Sequence, residues 1–260
     1  MGSKEVTMSR RPYITPEHLM DSKYRGQYDY GIICFRGHRS SALIVEALGA
    51  TKIQDDIFYC TNSENVLPAA YEAKVNGKHI AIITGAAFGG PQAAIYVEEM
   101  KYLGVNAIIG VMIAAGIAAK FRLGEFFYVD EVICLDGVST TYYDRNEIIS
   151  TSFCHEEILS IASDLDIELK PARAASVDAI YHETPEIINH LKELEVKVMN
   201  LDIAPFITTA KLRGVDAIMF GYVSDRFETG QWASWKWDRN EANAKSVDIL
   251  ARLIKVITSK

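Results

Sequence analysis

Along the chain, short uninterrupted apolar runs alternate with stretches in which apolar residues return every three or four positions, the pattern of buried strands joined by amphipathic helices. Residues 31–35 read as the first strand, and Leu43, Ile44, Ala47 and Leu48 as the inner face of the helix that follows. Residues 56–83 hold two or three strands, with Asn76-Gly77 turning 71–75 back on 79–83 as a hairpin. A helix over 92–103, a central strand over 105–111 and a loop of small residues over 112–118 come next. A strand over 127–135, a loop over 139–143 and a helix over 156–165 follow. Pro185 opens a helix over 187–194, and the last helix spans about 240–257.

The stretch 198–226 carries a carboxylate at each end of a helix and strand unit. Asn200 and Asp202 stand where an apolar run gives way to a helix whose buried face is Ile203, Phe206, Ile207 and Ala210. This position makes Asp202 a helix cap. Pro205 falls in the first turn, where its missing N–H costs nothing. Lys211 and Arg213 at the negative end of the helix dipole, then Gly214, close it. Residues 217–223 read as a buried strand with Ser224 and Asp225 at its carboxyl end, where α/β sheets bind ligands.

Bulk properties narrow the function. A length of 260 residues, 49% hydrophobic and 23% charged, suits one α/β domain with a large core, and excludes disorder and fibres. A polar, irregular N-terminal segment, 1–28, precedes the domain at 29–260. A net charge of -7 gives no basic face, so neither nucleic acid nor an anionic membrane is expected as a partner. Small molecules remain. The four cysteines form no C-x-x-C pair and read as reduced, buried thiols; His38 and His182 have no ligand-spaced partners, so no metal is expected. No motif calls for a cofactor. The N-terminus has no apolar signal core, and the longest apolar run, 107–119, is too short to span a bilayer, so a cytoplasmic protein is expected.

Two glycine-bearing loops are candidates for ligand contact. The turn 36–40 leads into a helix N-terminus, an anion-binding arrangement to which Arg39 adds charge, although any strand-to-helix turn has the same outline. The glycines of 84–91 allow close approach of the backbone to a ligand or to a neighbouring element.

Four blocks in order resemble the superfamily of nucleoside phosphorylases and nucleosidases that includes the purine nucleoside and uridine phosphorylases. They are Thr84-Gly85 through Gly89-Gly90-Pro91; Ala114-Ala115-Gly116 with Leu123-Gly124-Glu125-Phe126; Ser176-Val177-Asp178-Ala179-Ile180-Tyr181; and Asn200-Leu201-Asp202 with Ala210 to Gly214 and Val223-Ser224-Asp225. Their order and spacing cover the chain from about residue 28 onward. The resemblance implies a single-domain three-layer α/β/α sandwich with a central mixed β-sheet, and cleavage of the N-glycosidic bond of a nucleoside. It also implies a general acid at Asp225 acting on the base and a ribose-binding carboxylate at Asp202. By the same resemblance Asn200, Leu201, Ala114, Ala115 and Ala175 line the base and sugar pocket, and Arg239 either supports the acid, as an arginine does in purine-specific relatives, or is a solvated first-turn arginine. This chemistry suits the residues. Breaking the C1'–N bond leaves negative charge on the base and positive charge on the sugar, so a proton donor belongs at one and oxygen acceptors at the other.

The departures from the family pattern concern the attacking group. Leu201-Asp202 replaces the usual Met-Glu pair, with a carboxylate one carbon shorter. The family's phosphate-binding positions align with Phe35, Arg39, Gly110, Ile113 and Asn65, of which Arg39 alone keeps its chemistry. Each lost charge-assisted donor costs about 1.5–3 kcal/mol. Hydrolysis is therefore favoured slightly over phosphorolysis, with a purine nucleoside favoured because Thr184 and Glu186 replace the uridine-specific Gln and Arg. A non-catalytic nucleoside-binding or storage protein of the same fold is the alternative. The resemblance also implies a homo-oligomer, as dimer, trimer or hexamer, with Tyr13 near the position from which some relatives lend a histidine. Trp232, Trp235 and Trp237 either cover the pocket or fill a subunit interface.

Overall fold

The computed structural model describes residues 12–61, 64, 67–228, 231–234 and 239–260. Among them, eleven strands join into one mixed sheet. The chain runs β1 (Tyr30–Cys34), α1 (His38–Leu48), β2 (Thr51–Lys52), β3 (Ala69–Val75), β4 (Lys78–Thr84), α2 (Gly90–Tyr102), β5 (Ala107–Gly116) and β6 (Phe126–Ile133). It continues through α3 (Ser139–Tyr142), β7 (Ile148–Ser150), α4 (His155–Asp164), β8 (Leu169–Ser176), α5 (Pro185–Glu193) and β9 (Val198–Asn200). Then come α6 (Ile203–Arg213), β10 (Asp216–Glu228), β11 (Gln231–Ser234) and α7 (Asn240–Thr258). The sheet order is β11-β10-β6-β8-β9-β5-β1-β4-β3-β2, with β7 on β6. Because β10 also pairs with β5, the strands β5, β9, β8, β6 and β10 close into a ring.

Both faces of the sheet are buried, which is why its central strands are continuous apolar runs rather than alternating ones. Ile32 and Ile82 point to the layer holding Ile44 of α1, Ile158 of α4 and Leu250 of α7. Their neighbours Ile33 and Ile83 point to the opposite layer, with Tyr96 of α2 and Phe206 of α6. The expected three layers and mixed sheet are thus present. The Asn76-Gly77 hairpin also forms, with φ of 49° and 83° at the two turn residues and Val75 opposite Lys78.

Several local expectations need correction. Residues 112–116 are strand, not loop: they extend β5 in parallel register with β10, Met112 opposite Gly221 and Ala114 opposite Val223. Two glycines here answer to close backbone contacts. A Cβ on Gly221 would lie 2.0 Å from the Met112 carbonyl oxygen, and one on Gly116 2.3 Å from that of Phe121. Residues 139–142 form a helical turn because Asp136 Oδ1 accepts from Val138 N and Ser139 N. Strand β10 does not end at 223 but runs on to 228 and turns back as β11, a strand made from the tryptophan-rich insertion. Of the four free cysteines, Cys34 and Cys134 are buried, while Cys60 and Cys154 are half-buried.

Candidate active site

A cleft of about 620 Å³ opens beside the β5–β10–β9 part of the ring. Its floor is Ala114 and Ala115 of β5, with Asn200, Leu201 and Asp202 along one side and Ser224 and Asp225 facing them from β10. Ile180, Tyr181, Phe88 and Trp232 form an apolar rim in which Tyr181 is fully exposed.

Asp202 sits where β9 passes into α6, and the sequence places it as the helix cap. The structure assigns the capping elsewhere. Asn200 Oδ1 accepts from both Asp202 N and Ile203 N at 2.8 Å, and Ser176 Oγ accepts from Ala204 N at 3.0 Å. Asp202 has φ -123° and ψ -27°, away from the extended backbone of a capping residue, and its side chain makes no cap bond. Its carboxyl is turned instead to Gly89 N, which donates to Oδ1, while Asn200 Nδ2 lies 3.4 Å from Oδ2. The residue is 2% exposed, and burial pushes its acid up to about 7 against the opposing effect of the Gly89 hydrogen bond. The glycines of the 84–91 loop serve this contact. A Cβ on Gly90 would meet Pro205 Cγ at 2.9 Å, so α2 and α6 approach closely enough for Gly89 to reach the carboxyl.

Asp225 reaches the cleft through an irregularity. The β5–β10 register slips between Val223 and Asp225, so Ser224 is an extra residue and Asp225 pairs with Ala115. A bulge re-aims the side chains on either side of it. Ser224 Oγ donates to Asp225 Oδ1 at 2.6 Å and Trp232 Nε1 donates to Oδ2 at 2.9 Å. Both oxygens of the carboxyl are therefore fixed. Glu183 lines the same cleft; burial and then the charge of Asp225 push its acid up to about 7.

Six of the residues singled out in the sequence thus converge: Asp225, Asp202, Asn200, Leu201, Ala114 and Ala115. Three do not. Ala175 is fully buried between Ile133 of β6 and Met199 of β9 and does not line the cleft. Arg39 is exposed on α1, with Nη1 donating to Asn240 Oδ1 at 3.2 Å. Arg239 stands at the start of α7, where its charge is felt by Arg36 and Tyr222; the partners of Asp225 are Ser224 and Trp232 instead. Among the aligned phosphate positions, Phe35 is fully buried against Phe206, Gly110 sits under Met219, and Ile113 lines the cleft. Asn65, Trp235 and Trp237 lie outside the described residues. Glu183 escaped the sequence reading because the pattern drew attention to Thr184 and Glu186 beside it. A second cleft, about 450 Å³ and bordered by Asp136, Asp178 and His182, contains none of the expected site residues.

Residues 43–255 match the phosphorylase superfamily. The chain belongs to that superfamily. It is 24% identical over 177 residues to a DeoD-type purine nucleoside phosphorylase of Chromobacterium violaceum, covering 67% of this chain and 74% of the relative. The fold is similar to that of futalosine hydrolase from Helicobacter pylori, with a TM-score of 0.70 at 14% identity, covering 88% of this chain and 98% of the other. It is also similar to that of uridine phosphorylase from Vibrio fischeri, with a TM-score of 0.68 at 19% identity, covering 92% and 93%. Superfamily membership rests on the match over 43–255, and these structural likenesses show the shared fold. No helix among the described residues is long and apolar enough to cross a membrane.

Proposed function

We propose that this chain cleaves the N-glycosidic bond of a nucleoside or nucleoside-like substrate, with a purine base favoured and water as the attacking group. The observation that carries the reading is the meeting of Asp202 and Asp225 across one cleft floored by Ala114 and Ala115. Asp225 stands at the base as the acid, oriented by Ser224 and Trp232. Asp202, once ionised, accepts the ribose hydroxyls, with Asn200 and Leu201 beside it. As the bond stretches, negative charge gathers on the base nitrogen, where the acid's proton meets it, and positive charge on the ribose, where the Asp202 carboxylate stands.

Water is preferred over phosphate because no Lys, Arg or His lines the cleft among the described residues. A phosphate carrying close to two negative charges finds carboxyls there and no cation. The purine preference draws on the relative named a purine nucleoside phosphorylase, and hydrolysis on the neighbour named a hydrolase. A cytoplasmic homo-oligomer with residues 29–260 as the working domain is part of the same proposal. Incubating the protein with purine nucleosides, with and without phosphate, tests it. Release of free base without phosphate is expected. Strict phosphate dependence overturns the hydrolytic mode, and ligand-induced thermal shifts with no turnover point to a binding protein.

A further inference from the structure

Glu183 is a carboxyl for which the proposed function has no use. It enters the cleft from the junction between a short 3-10 turn (Ile180–His182) and α5, half-buried and on the side of Asp225. Among the described residues its carboxyl has no hydrogen-bond or ion-pair partner; the charge that acts on it is that of Asp225. The other acids of the cleft are engaged. Asp202 Oδ1 accepts from Gly89 N, and the two oxygens of Asp225 accept from Ser224 Oγ and Trp232 Nε1. Among the described residues no cation lines the cleft to compensate these three carboxyls.

Burial in the cleft, and then the charge of Asp225, favours the protonated form of Glu183. Each oxygen of Asp225 already accepts one hydrogen bond, which leaves it one further lone pair for an incoming base. The oxygens of Glu183 are open to a ligand.

Resting on the glycosidic reading above, we propose that Glu183 is the second half of the acid: Glu183 and Asp225 meet the leaving base as a pair, and the pair's proton reaches it through Glu183. In the step, the C1'–N bond breaks and its electron pair goes to the base nitrogen, which takes the proton from the pair. A water oxygen bonds to C1', and the proton that this water sheds returns to the pair. The products are free base and free sugar, and the pair ends as it began. The cleft therefore suits substrates whose leaving group needs protonation and rejects those that bring negative charge.

The test compares two leaving groups. A purine nucleoside needs a proton on its departing base, whereas the nitrophenolate of p-nitrophenyl riboside departs without one. The full chain and its Glu183→Gln variant, matched for melting temperature, are assayed on both. Glu183→Gln is expected to lower kcat on the purine nucleoside about 100-fold or more with KM changed less than threefold, and to lower the nitrophenyl riboside rate less than fivefold. The unmutated protein supplies a second reading. Its kcat/KM for the purine nucleoside falls as the pair loses its proton above neutral pH, while the nitrophenyl riboside rate stays level. Equal losses on both substrates, no loss on either, or parallel pH profiles overturn the proposal and leave the glycosidic reading standing. If the unmutated protein cleaves neither substrate, that reading falls and the proposal falls with it.

Discussion

Replacing Asp202 by asparagine separates stability from function. The side chain is 2% exposed, and burial moves its acid from 3.8 in the unfolded chain to about 7 in the fold. The folded state therefore binds the proton more tightly, so the native fold loses stability as pH rises from about 4 to about 7 and stays at the lower level above that. Roughly three pH units correspond to about 4 kcal/mol of penalty for holding the charged form at pH 8. Asparagine keeps an oxygen for Gly89 N but turns an amide toward Asn200 Nδ2, returning about 1 kcal/mol. The variant is thus expected to be more stable than the parent at pH 8 by about 2–3 kcal/mol, a rise in Tm of roughly 5–10 °C. The gain disappears by pH 5. Losing two charge-assisted bonds to ribose hydroxyls costs kcat/KM about 100-fold to 10,000-fold over the same range. Thermal melts at pH 5 and pH 8, with kinetics on the same samples, read both effects. A variant less stable at pH 8, or equally stabilised at both pH values, refutes the argument from burial; unchanged kinetics refute the ribose role.

Other substitutions follow the same logic. Glu99 is 3% exposed, with Tyr59 N on Oε1, no partner for Oε2 and its acid pushed up to about 7 by burial; Glu99→Gln should add up to about 3 kcal/mol above pH 7, little at pH 5, and leave turnover intact. Asn200→Ala removes the acceptor that caps α6 and should lower stability by about 1–2 kcal/mol, measured by urea denaturation. Trp232→Phe keeps the apolar wall but removes the indole donor to Asp225, and should lower kcat about ten- to a hundred-fold in steady-state assays. Gly90→Ala forces a methyl against Pro205 and Val138 and should cost about 1–3 kcal/mol, with weaker substrate binding as Gly89 moves off Asp202.

The layers were legible in the sequence because they depend on apolar pattern alone. Runs such as 31–35 and 217–223 read as strands buried on both faces, and Pro205 and Gly214 marked the first turn and the end of α6. The ring was not legible. Residues 112–116 read as a loop for their alanines and glycine, but they are strand because they pair with β10, more than a hundred residues away, where Gly221 lies against Met112. Asp202 reads as a helix cap and, from the family resemblance, as a ribose carboxylate; its side chain does not do the capping. Its place before an apolar helix looked like capping, but a neighbour two residues earlier caps the helix and leaves the carboxyl turned to Gly89. Trp232 and Glu183 became site residues only through a hairpin and a loop whose pairing leaves no periodic trace. Alignment to the family placed Ala175 in the pocket, while the structure buries it fully among Ile133, Ile188, Leu191 and Met199.

The most direct test of the account is the fate of the sugar. A purine nucleoside is incubated with the protein in oxygen-18-labelled water containing phosphate, and the products are resolved by mass spectrometry. The account predicts free base and ribose carrying one heavy oxygen at C1', with no sugar phosphate, and the loss of both products in the Asp225→Asn variant. Ribose 1-phosphate without label, or an intact nucleoside after prolonged incubation, contradicts it.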